Sequence, residues 1–285
     1  MLSLLSLGSG SSGNSAVVYS ENSYILVDAG LSAMQLKKRI KEGGLDPQKL
    51  DAVIITHEHS DHIRGLEVLS KTINVPVYCN SLTHEAIVST NGSVKSWNIL
   101  KSGESFMVGD INVCGFSVMH DAVDPLGFRF KKNKKTLGFI SDVGHVTQLL
   151  LESIKDVHTL FIESNYDEIL LQNDTRRPWS LKQRIASRHG HLSNKQTADL
   201  IGSIAEGGLL KSVILGHLSN DCNSPEVARA EVILALSNRG VSEVEVNCAS
   251  RSEISGPYII EIEVDEEGEE KDLEGYAQEE FPLFS

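Results

Sequence analysis

Apolar positions along the first part of the chain fall into short strand-like runs followed by one helical pattern. The segments Leu2–Leu7, Ala16–Ser20 and Tyr24–Val27 are rich in aliphatic and β-branched residues, which predicts three strands joined by tight loops. Residues Ser32–Glu42 have a helical pattern, and the Gly43-Gly44 pair predicts its end. The chain therefore begins with a β-rich unit and one helix.

The remaining chain alternates between predicted strands and predicted helices. Strands are predicted at Leu50–Ile55, Val75–Cys79, Phe106–Val108, Ile111–Val118, Gly127–Lys132, Thr136–Ile140, Thr159–Ile162, Val213–Leu215, Val241–Val246 and Tyr258–Val264. Helices are predicted at Ile63–Leu69, Leu82–Ser89, Val146–Ser153, Asn194–Ala205 and Pro225–Leu236. Because helices occur in both halves of a mixed β pattern, we predict an α/β (α+β type) fold with two packed sheets and helices outside them.

Charge is distributed unevenly along the 285 residues. The formal net charge is −13, yet residues 261–280 alone hold eleven acidic residues and one lysine. The rest of the chain is therefore close to neutral. We expect one folded domain over residues 1–264 and a solvated acidic tail over residues 265–285.

The sequence also indicates the cellular compartment in which the protein is expected. Apolar runs are all shorter than a membrane span, and the N-terminus lacks the basic region that begins a signal peptide. Four cysteines are scattered without a C-x-x-C pair, which is typical of reduced thiols. We therefore expect a cytoplasmic protein that does not contact a membrane. Oligomeric state is left open.

The densest chemical signal is the heptad Thr-His-Glu-His-Ser-Asp-His at residues 56–62, with its ligand residues spaced as H-x-H-x-D-H. Imidazole and carboxylate groups bind Zn²⁺, Mn²⁺ or Fe. The heptad lies between a predicted strand and a predicted helix. His57 and His59 can share one face of an extended chain, whereas Asp61 and His62 follow the bend and can face a second ion. A polar surface loop is the alternative interpretation.

Three further polar residues follow apolar strands. His120, Asp142 and His217 each come at the carboxyl end of such a run, where sheet edges collect functional groups. Together with the heptad they offer enough ligands for two metal ions. Two ions about 3.5–4 Å apart would lower the pKa of a shared water, which predicts hydrolysis of an ester, thioester, amide or phosphodiester.

A glycine-rich loop, Gly8–Gly13, matches the dinucleotide-binding pattern G-x-G-x-x-G. That pattern requires a following helix, whereas Ala16–Tyr19 here is strand-like, so we reject a dinucleotide site. The loop still offers donors, and Ser11, Ser12 and Asn14 are candidates to hold a phosphate. A mobile hairpin without a binding role is the alternative.

The ordered set Asp28, the heptad, His120, Asp142 and His217 resembles the metallo-β-lactamase superfamily over about residues 3–220. The resemblance implies an αβ/βα sandwich with a metal site at one rim. It implies that three histidines hold one ion, that a second ion has its own set of ligands, and that Asp142 bridges the two. The first set is His57, His59 and His120, and the second is Asp61, His62 and His217. Asp28 would accept a proton from a ligand imidazole.

The segment Gly190–Ala198 resembles the extra histidine motif of the phosphodiesterase branch of that superfamily. The resemblance implies that His191 contacts the scissile phosphate or protonates the leaving group. A histidine is a suitable general acid near neutral pH. Glu163, at the end of a predicted strand, is placed to orient His191. Asp61, His191 and Glu163 are thus the predicted catalytic residues, and a helix-capping role is the alternative for His191.

Nucleic acid is the predicted substrate. Residues Arg176–Lys195 contain six basic residues and no acid, and Arg177 and Trp179 are candidates to contact a phosphate and a stacked base. The most similar subgroup is YycJ/WalJ, through motifs such as Glu163–Asn165 and Pro178–Ser180. This resemblance implies a 5′→3′ DNA exonuclease in DNA repair, using a metal-bridged hydroxide, with DNA favoured over RNA.

Three alternatives to a DNA exonuclease stay open at this point. They are a small-molecule or cyclic-nucleotide phosphodiesterase, an RNA-processing nuclease, and a metal-bound sensor module without activity. The cofactor is expected to be two divalent ions, Zn²⁺ or Mn²⁺, because both ions accept the same imidazole and carboxylate ligands.

Overall fold

A computed structural model describes residues 1–90 and 94–260. The described strands are β1 Ser3–Gly8, β2 Ser15–Tyr19, β3 Tyr24–Val27, β4 Ala52–Ile54, β5 Val77–Asn80, β6 Trp97–Leu100, β7 Ser105–Val108, β8 Ile111–Ser117, β9 Leu126–Lys132, β10 Lys135–Ile140, β11 Thr159–Glu163, β12 Ser212–Gly216, β13 Glu245–Cys248 and β14 Ser255–Ile259. The described helices are α1 Ala33–Glu42, α2 Ser60–Ile63, α3 Leu66–Thr72, α4 Ser81–Thr90, α5 Gln148–Ile154, α6 Glu168–Asn173, α7 Trp179–Ile185, α8 Asn194–Ala205 and α9 Pro225–Asn238.

The strands form two mixed sheets of seven strands each. The first has the order β14-β1-β2-β3-β4-β5-β6, and the second has the order β13-β12-β11-β10-β9-β8-β7. In the first sheet β3 to β6 run parallel, and in the second sheet β10 to β13 run parallel. Parallel strands connected through helices align their carboxyl ends, so each sheet has one edge at which loops collect.

Three apolar layers hold the sandwich together. The middle layer joins the inner faces of both sheets, with Ile25 and Ile54 from the first sheet and Phe128 and Phe139 from the second. A second layer packs α1 and α3 on the outer face of the first sheet. A third packs α5, α8 and α9 on the outer face of the second sheet. The predicted sandwich of two mixed sheets flanked by helices is confirmed.

Helix ends follow the capping signals in the sequence. The Ser32 side chain accepts a hydrogen bond from Gln35 N at the start of α1. Ser193 and Gln196 form a capping box at the start of α8. The cap at Ser193 fixes where the chain turns after His191.

Some predicted elements are wrong or were missed. The strand predicted at Val241–Val246 begins only at Glu245, because β13 pairs with β12 from Glu245 opposite Ser212 to Cys248 opposite Leu215. The short helices α6 and α7 and the strand β6 were not predicted. Helix α7 buries none of its residues, so it has no apolar stripe to reveal it. The predicted domain boundary at residue 264 and the acidic tail lie outside the described residues.

The loop Gly8–Gly13 joins strand β1 to strand β2, which confirms that no helix follows it. None of the described helices is long and apolar enough to cross a lipid bilayer. All four cysteines are free.

Candidate metal centre

The predicted ligands meet where the carboxyl ends of the parallel strands converge. Asp28 follows β3, the heptad follows β4, Asp142 follows β10, Glu163 ends β11 and His217 follows β12. Asp28 and His217 have φ angles of 59° and 50°, a conformation that non-glycine residues seldom adopt. Such strain persists only where the surroundings hold it, and it is common at functional sites.

The heptad turns sharply because a glycine lies beneath it. A Cβ atom on Gly30 would fall 1.7 Å from the carbonyl oxygen of Asp61. The same turn is held by hydrogen bonds from Asn14 N to Asp61 O and from Ala29 N to His62 O, each 2.7 Å long. The heptad is therefore fixed against the loops that follow β1 and β3.

Asp142 lies at the centre of the imidazole cluster. Its Oδ2 is 3.9 Å from His57 Nε2, 3.5 Å from His62 Nε2 and 3.6 Å from His120 Nε2. Its other oxygen, Oδ1, is 2.9 Å from His217 Nδ1. One carboxylate thus faces both predicted sets of ligands, as a bridging ligand would.

The first set of ligands is compact and mostly buried. Ligand atoms of His57, His59, His120 and Asp142 all lie within 4.8 Å of one another, and only His59 is partly exposed. His57 Nε2 is 3.1 Å from His59 Nδ1. We call these four residues the first cluster.

Hydrogen bonds on the far side of three rings determine which nitrogen can bind an ion. His57 Nδ1 contacts Thr56 Oγ1 at 2.9 Å, and His62 Nδ1 contacts Asp28 Oδ2 at 2.7 Å. His120 Nδ1 donates to Gly190 O at 2.8 Å. In each ring Nδ1 is engaged on the far side, so Nε2 is the nitrogen that faces the cluster.

The second set is more open. His62 Nε2 lies 3.7 Å from Asp61 Oδ2, and Asp61 is itself one-fifth exposed. Asp142 Oδ1 and His217 Nδ1 are both buried and lie 2.9 Å apart as an ion pair. His217 Nδ1 is also 3.4 Å from Glu163 Oε2. Imidazole and carboxylate donors of the kind that bind divalent ions therefore lie on both sides of Asp142.

His191 lies beside this second set rather than away from it. Its ring centroid is 5.1 Å from that of His120 and 5.0 Å from that of His217. Asp142, His191 and His217 form a further group whose ligand atoms lie within 4.8 Å. His191 is therefore part of the cluster in space.

Glu163 is fully buried beneath His191. Its Oε2 is 2.9 Å from His191 Nδ1, and its Oε1 accepts hydrogen bonds from Val143 N and Leu192 N. The carboxylate is thus held from both sides and contacts the His191 ring directly.

Burial and neighbouring charges shift the pKa values of the imidazoles. Burial lowers the pKa of His57 well below its usual range and also lowers that of His120, so both rings favour the neutral form that binds metals. Burial lowers the pKa of His191 too, but the Glu163 carboxylate outweighs it and raises the value above the ordinary one. His191 therefore keeps a proton more readily than His57 and His120 do, whereas the pKa values of His62 and His217 are raised as well.

The predicted phosphate-holding loop has two different parts. Ser11 and Ser12 are exposed at its tip, whereas Asn14 is buried. Asn14 Oδ1 accepts a hydrogen bond from Gly10 N, which directs Nδ2 to within 3.2 Å of Asp61 Oδ2 and 3.0 Å of His62 Nε2. Asn14 thus contacts two predicted ligands.

Arg177 and Trp179 differ in accessibility. The Arg177 guanidinium pairs with Asp174 and, at 3.0 Å, with Asp221, so a phosphate could reach it only if this network opened. Trp179 is 66% exposed and lines a cavity of about 530 Å³ between α6, α7 and α8. Lys182 and Lys195 also line this cavity, which we call the α7 cavity.

Two residues near the first cluster were not predicted. Asp121 Oδ1 is 3.2 Å from His120 Nε2, and Asp121 Oδ2 pairs with Arg184 of α7. The position of Asp121 directly after a predicted ligand was the available signal. Arg184 is one of the six basic residues of Arg176–Lys195, and no pattern in the sequence indicates that α7 lies beside the metal ligands.

Comparison with known proteins identifies the family. The model of the β-lactamase superfamily domain matches residues 23–217. The chain is 36% identical over 82% of its length to the exodeoxyribonuclease YycJ of Bacillus anthracis, and 38% identical over 82% to the exodeoxyribonuclease WalJ of Streptococcus pneumoniae. In both cases 89% of the relative is covered.

A solved structure with low sequence identity to this chain has the same fold. The metallo-β-lactamase fold protein YhfI of Bacillus subtilis superimposes with a TM-score of 0.68 at 18% identity, over 90% of this chain and all of that chain. At that identity the likeness concerns the fold alone. Together, the domain match, the relatives and the clustered histidines place the chain in the metallo-β-lactamase superfamily, in its YycJ/WalJ-like subgroup, as a metal-dependent hydrolase.

Proposed function

We propose that the chain is a two-metal nuclease that degrades DNA exonucleolytically in the 5′→3′ direction. The observation that carries this proposal is the His191–Glu163 pair beside the metal ligands, with His191 ring-to-ring distances of 5.1 and 5.0 Å to His120 and His217. A phosphodiester is cleaved by expelling an alkoxide, and that step is helped by a positioned acid.

In this proposal the ligand residues divide as the resemblance to the superfamily implies. His57, His59 and His120 hold one ion, Asp61, His62 and His217 hold the other, and Asp142 is shared. Bound divalent ions would supply an activated water and neutralise charge on the phosphate oxygens. Asp28 fixes the His62 ring through its 2.7 Å contact with Nδ1, leaving Nε2 for the ion.

His191 has the role of general acid. Its Nδ1 is paired with Glu163 Oε2 at 2.9 Å, so the remaining ring nitrogen, Nε2, is available to give a proton to the leaving 3′ oxygen. Glu163 is a positioning residue, since it contacts His191 and not the substrate. Its buried charge also raises the pKa of His191, which favours the protonated form that a general acid needs.

Two observations favour DNA. Both relatives that share 36% and 38% identity with this chain are named exodeoxyribonucleases. In addition, the α7 cavity combines the exposed indole of Trp179 with Lys182 and Lys195; Glu168 and Asp199 also line it, and Asp199 pairs with Lys195. An aromatic face and nearby cations suit a stacked base and its backbone. In this proposal Ser11 and Ser12 contact the DNA strand on the side of the site opposite the α7 cavity, near Asn14.

A substrate panel tests the proposal. The purified protein with Mn²⁺ or Zn²⁺ is given duplex DNA, single-stranded DNA, RNA, a cyclic nucleotide and a simple aryl phosphodiester, and kcat/KM is measured for each. We expect DNA to be preferred by at least about tenfold. Preference for RNA or for the cyclic nucleotide would replace the proposal with the corresponding alternative. Metal binding without turnover of any substrate would indicate a sensor module.

A further inference from the structure

Asp121 has its two carboxylate oxygens directed to opposite sides. Oδ2 accepts a hydrogen bond from Arg184 Nε at 2.7 Å and forms an ion pair with Arg184 Nη2 at 2.5 Å. Oδ1 is left facing the first cluster, 3.2 Å from His120 Nε2 and 4.0 Å from His59 Nε2. Arg184 therefore holds the carboxylate so that its free oxygen points at two imidazoles.

The contact between Asp121 and His120 joins two acceptor atoms. Since His120 Nδ1 donates to the carbonyl oxygen of Gly190, Nε2 of the neutral ring has a lone pair and no proton. An ionised carboxylate oxygen likewise only accepts. Two such atoms 3.2 Å apart are stable only with a positive charge near both, either a proton on His120 Nε2 or a shared cation.

A shared metal ion meets that requirement. Ligand atoms bound at about 2.0–2.2 Å to one ion lie about 3.0–3.5 Å from each other in tetrahedral or octahedral geometry. The observed 3.2 Å between Asp121 Oδ1 and His120 Nε2 falls in that range. Asp142 Oδ2 approaches the same nitrogen to 3.6 Å from another direction.

We propose that Asp121 is a further ligand of the ion held by the first cluster, through Oδ1, and that Arg184 is its positioning residue. This inference rests on the proposed metal centre. It gives the first ion three nitrogen and two oxygen donors from the protein. Five protein donors exceed the four of a tetrahedral zinc site and favour ions with higher coordination numbers and a preference for oxygen, such as Mn²⁺.

The direct test is a crystal structure of the wild-type protein loaded with Mn²⁺, with the ions located by anomalous scattering. We expect Asp121 Oδ1 about 2.0–2.4 Å from the first ion. A distance above about 3 Å, with a water in place of the carboxylate, would overturn the proposal. This result does not depend on whether the protein cleaves DNA.

Variants test how much Asp121 and Arg184 contribute to the affinity for Mn²⁺. Competition with a chromophoric chelator measures the Mn²⁺ dissociation constant of Asp121→Asn, and we expect binding weakened about 10–100-fold, the size seen when groups supporting a metal site are removed. Arg184→Gln should weaken binding several-fold, because Oδ1 loses its anchor. Asp124→Asn is the matched control, being a half-buried aspartate three residues further along the same loop.

Thermal unfolding of the metal-free variants checks that each one is folded before binding is compared. Unchanged Mn²⁺ affinity in folded Asp121→Asn would overturn the proposal. If the affinity falls but the wild type fails to cleave nucleic acid, the ligand assignment stands and the nuclease proposal fails. The assignment of Asp121 as a ligand and the nuclease proposal can therefore be contradicted independently of each other.

Discussion

Glu163 Oε2 lies 2.9 Å from His191 Nδ1, and the carboxylate is completely buried at the end of β11. A buried carboxylate is costly unless it is paired and hydrogen-bonded. Here two backbone N–H groups and an imidazole satisfy it. The contact thus links the carboxyl end of β11 to His191, which is not one of the proposed metal ligands.

Replacing His191 by alanine should slow phosphodiester cleavage by about 10²–10⁴-fold, the usual contribution of a general acid. Metal content should stay unchanged, because His191 is not among the proposed ligands. Single-turnover rates and elemental analysis measure the two effects. His189→Ala serves as control, since His189 is exposed and two residues away. Loss of a metal ion in His191→Ala would instead make His191 a ligand.

Glu163→Gln should alter the pH dependence of cleavage. The Glu163 charge raises the pKa of His191, so the acid form persists to higher pH and activity falls as pH rises through that value. Without the charge, the alkaline limb should move to lower pH. A rate-against-pH profile for both proteins measures the shift. An identical alkaline limb would mean that another group controls it.

Trp179→Ala should weaken single-stranded DNA binding without changing metal affinity. Stacking of one base on an aromatic ring contributes about 1–3 kcal/mol, or roughly 5–150-fold in the dissociation constant. Fluorescence anisotropy with a labelled oligonucleotide measures the change. Met34→Ala, at a 78% exposed apolar residue on α1, is the control. Equal affinity of the Trp179 variant and the wild type would remove the α7 cavity from the DNA path.

Gly30→Ala should destabilise the fold around the heptad. The added Cβ would fall 1.7 Å from Asp61 O, and the contacted atom belongs to the backbone, which cannot move freely. We expect a loss of about 1–3 kcal/mol or more in the free energy of unfolding, measured with urea. Gly207→Ala, where the nearest atom is 3.3 Å away, should change stability little. Wild-type stability in Gly30→Ala would show that the heptad turn can shift.

The sequence predicted most of the fold because strand patterns and helix caps are local. Helix α8 matches its predicted bounds because the Ser193 capping box marks its start. Strand-end placement also indicated His120, Asp142 and His217, which meet in space. Polar residues at strand ends can be predicted to meet because parallel strands align their carboxyl ends at one edge of a sheet.

What the sequence missed depends on distant contacts. Helix α7 has no buried face, so neither its helical form nor the contact of Arg184 with Asp121 is encoded in a local pattern. The pairing of Arg177 with Asp221 joins residues far apart in the chain and engages a side chain expected to be available to phosphate. Ion pairs of this kind are decided by the folded arrangement.

The central claim is most directly tested by following which end of a DNA strand is shortened first. A duplex labelled at the 5′ end on one strand, and at the 3′ end in a parallel sample, is digested in the presence of Mn²⁺. The account predicts that the 5′ label appears as mononucleotide at the earliest times, and that Asp61→Asn releases none. Release of the 3′ label first, or full activity in Asp61→Asn, would contradict it.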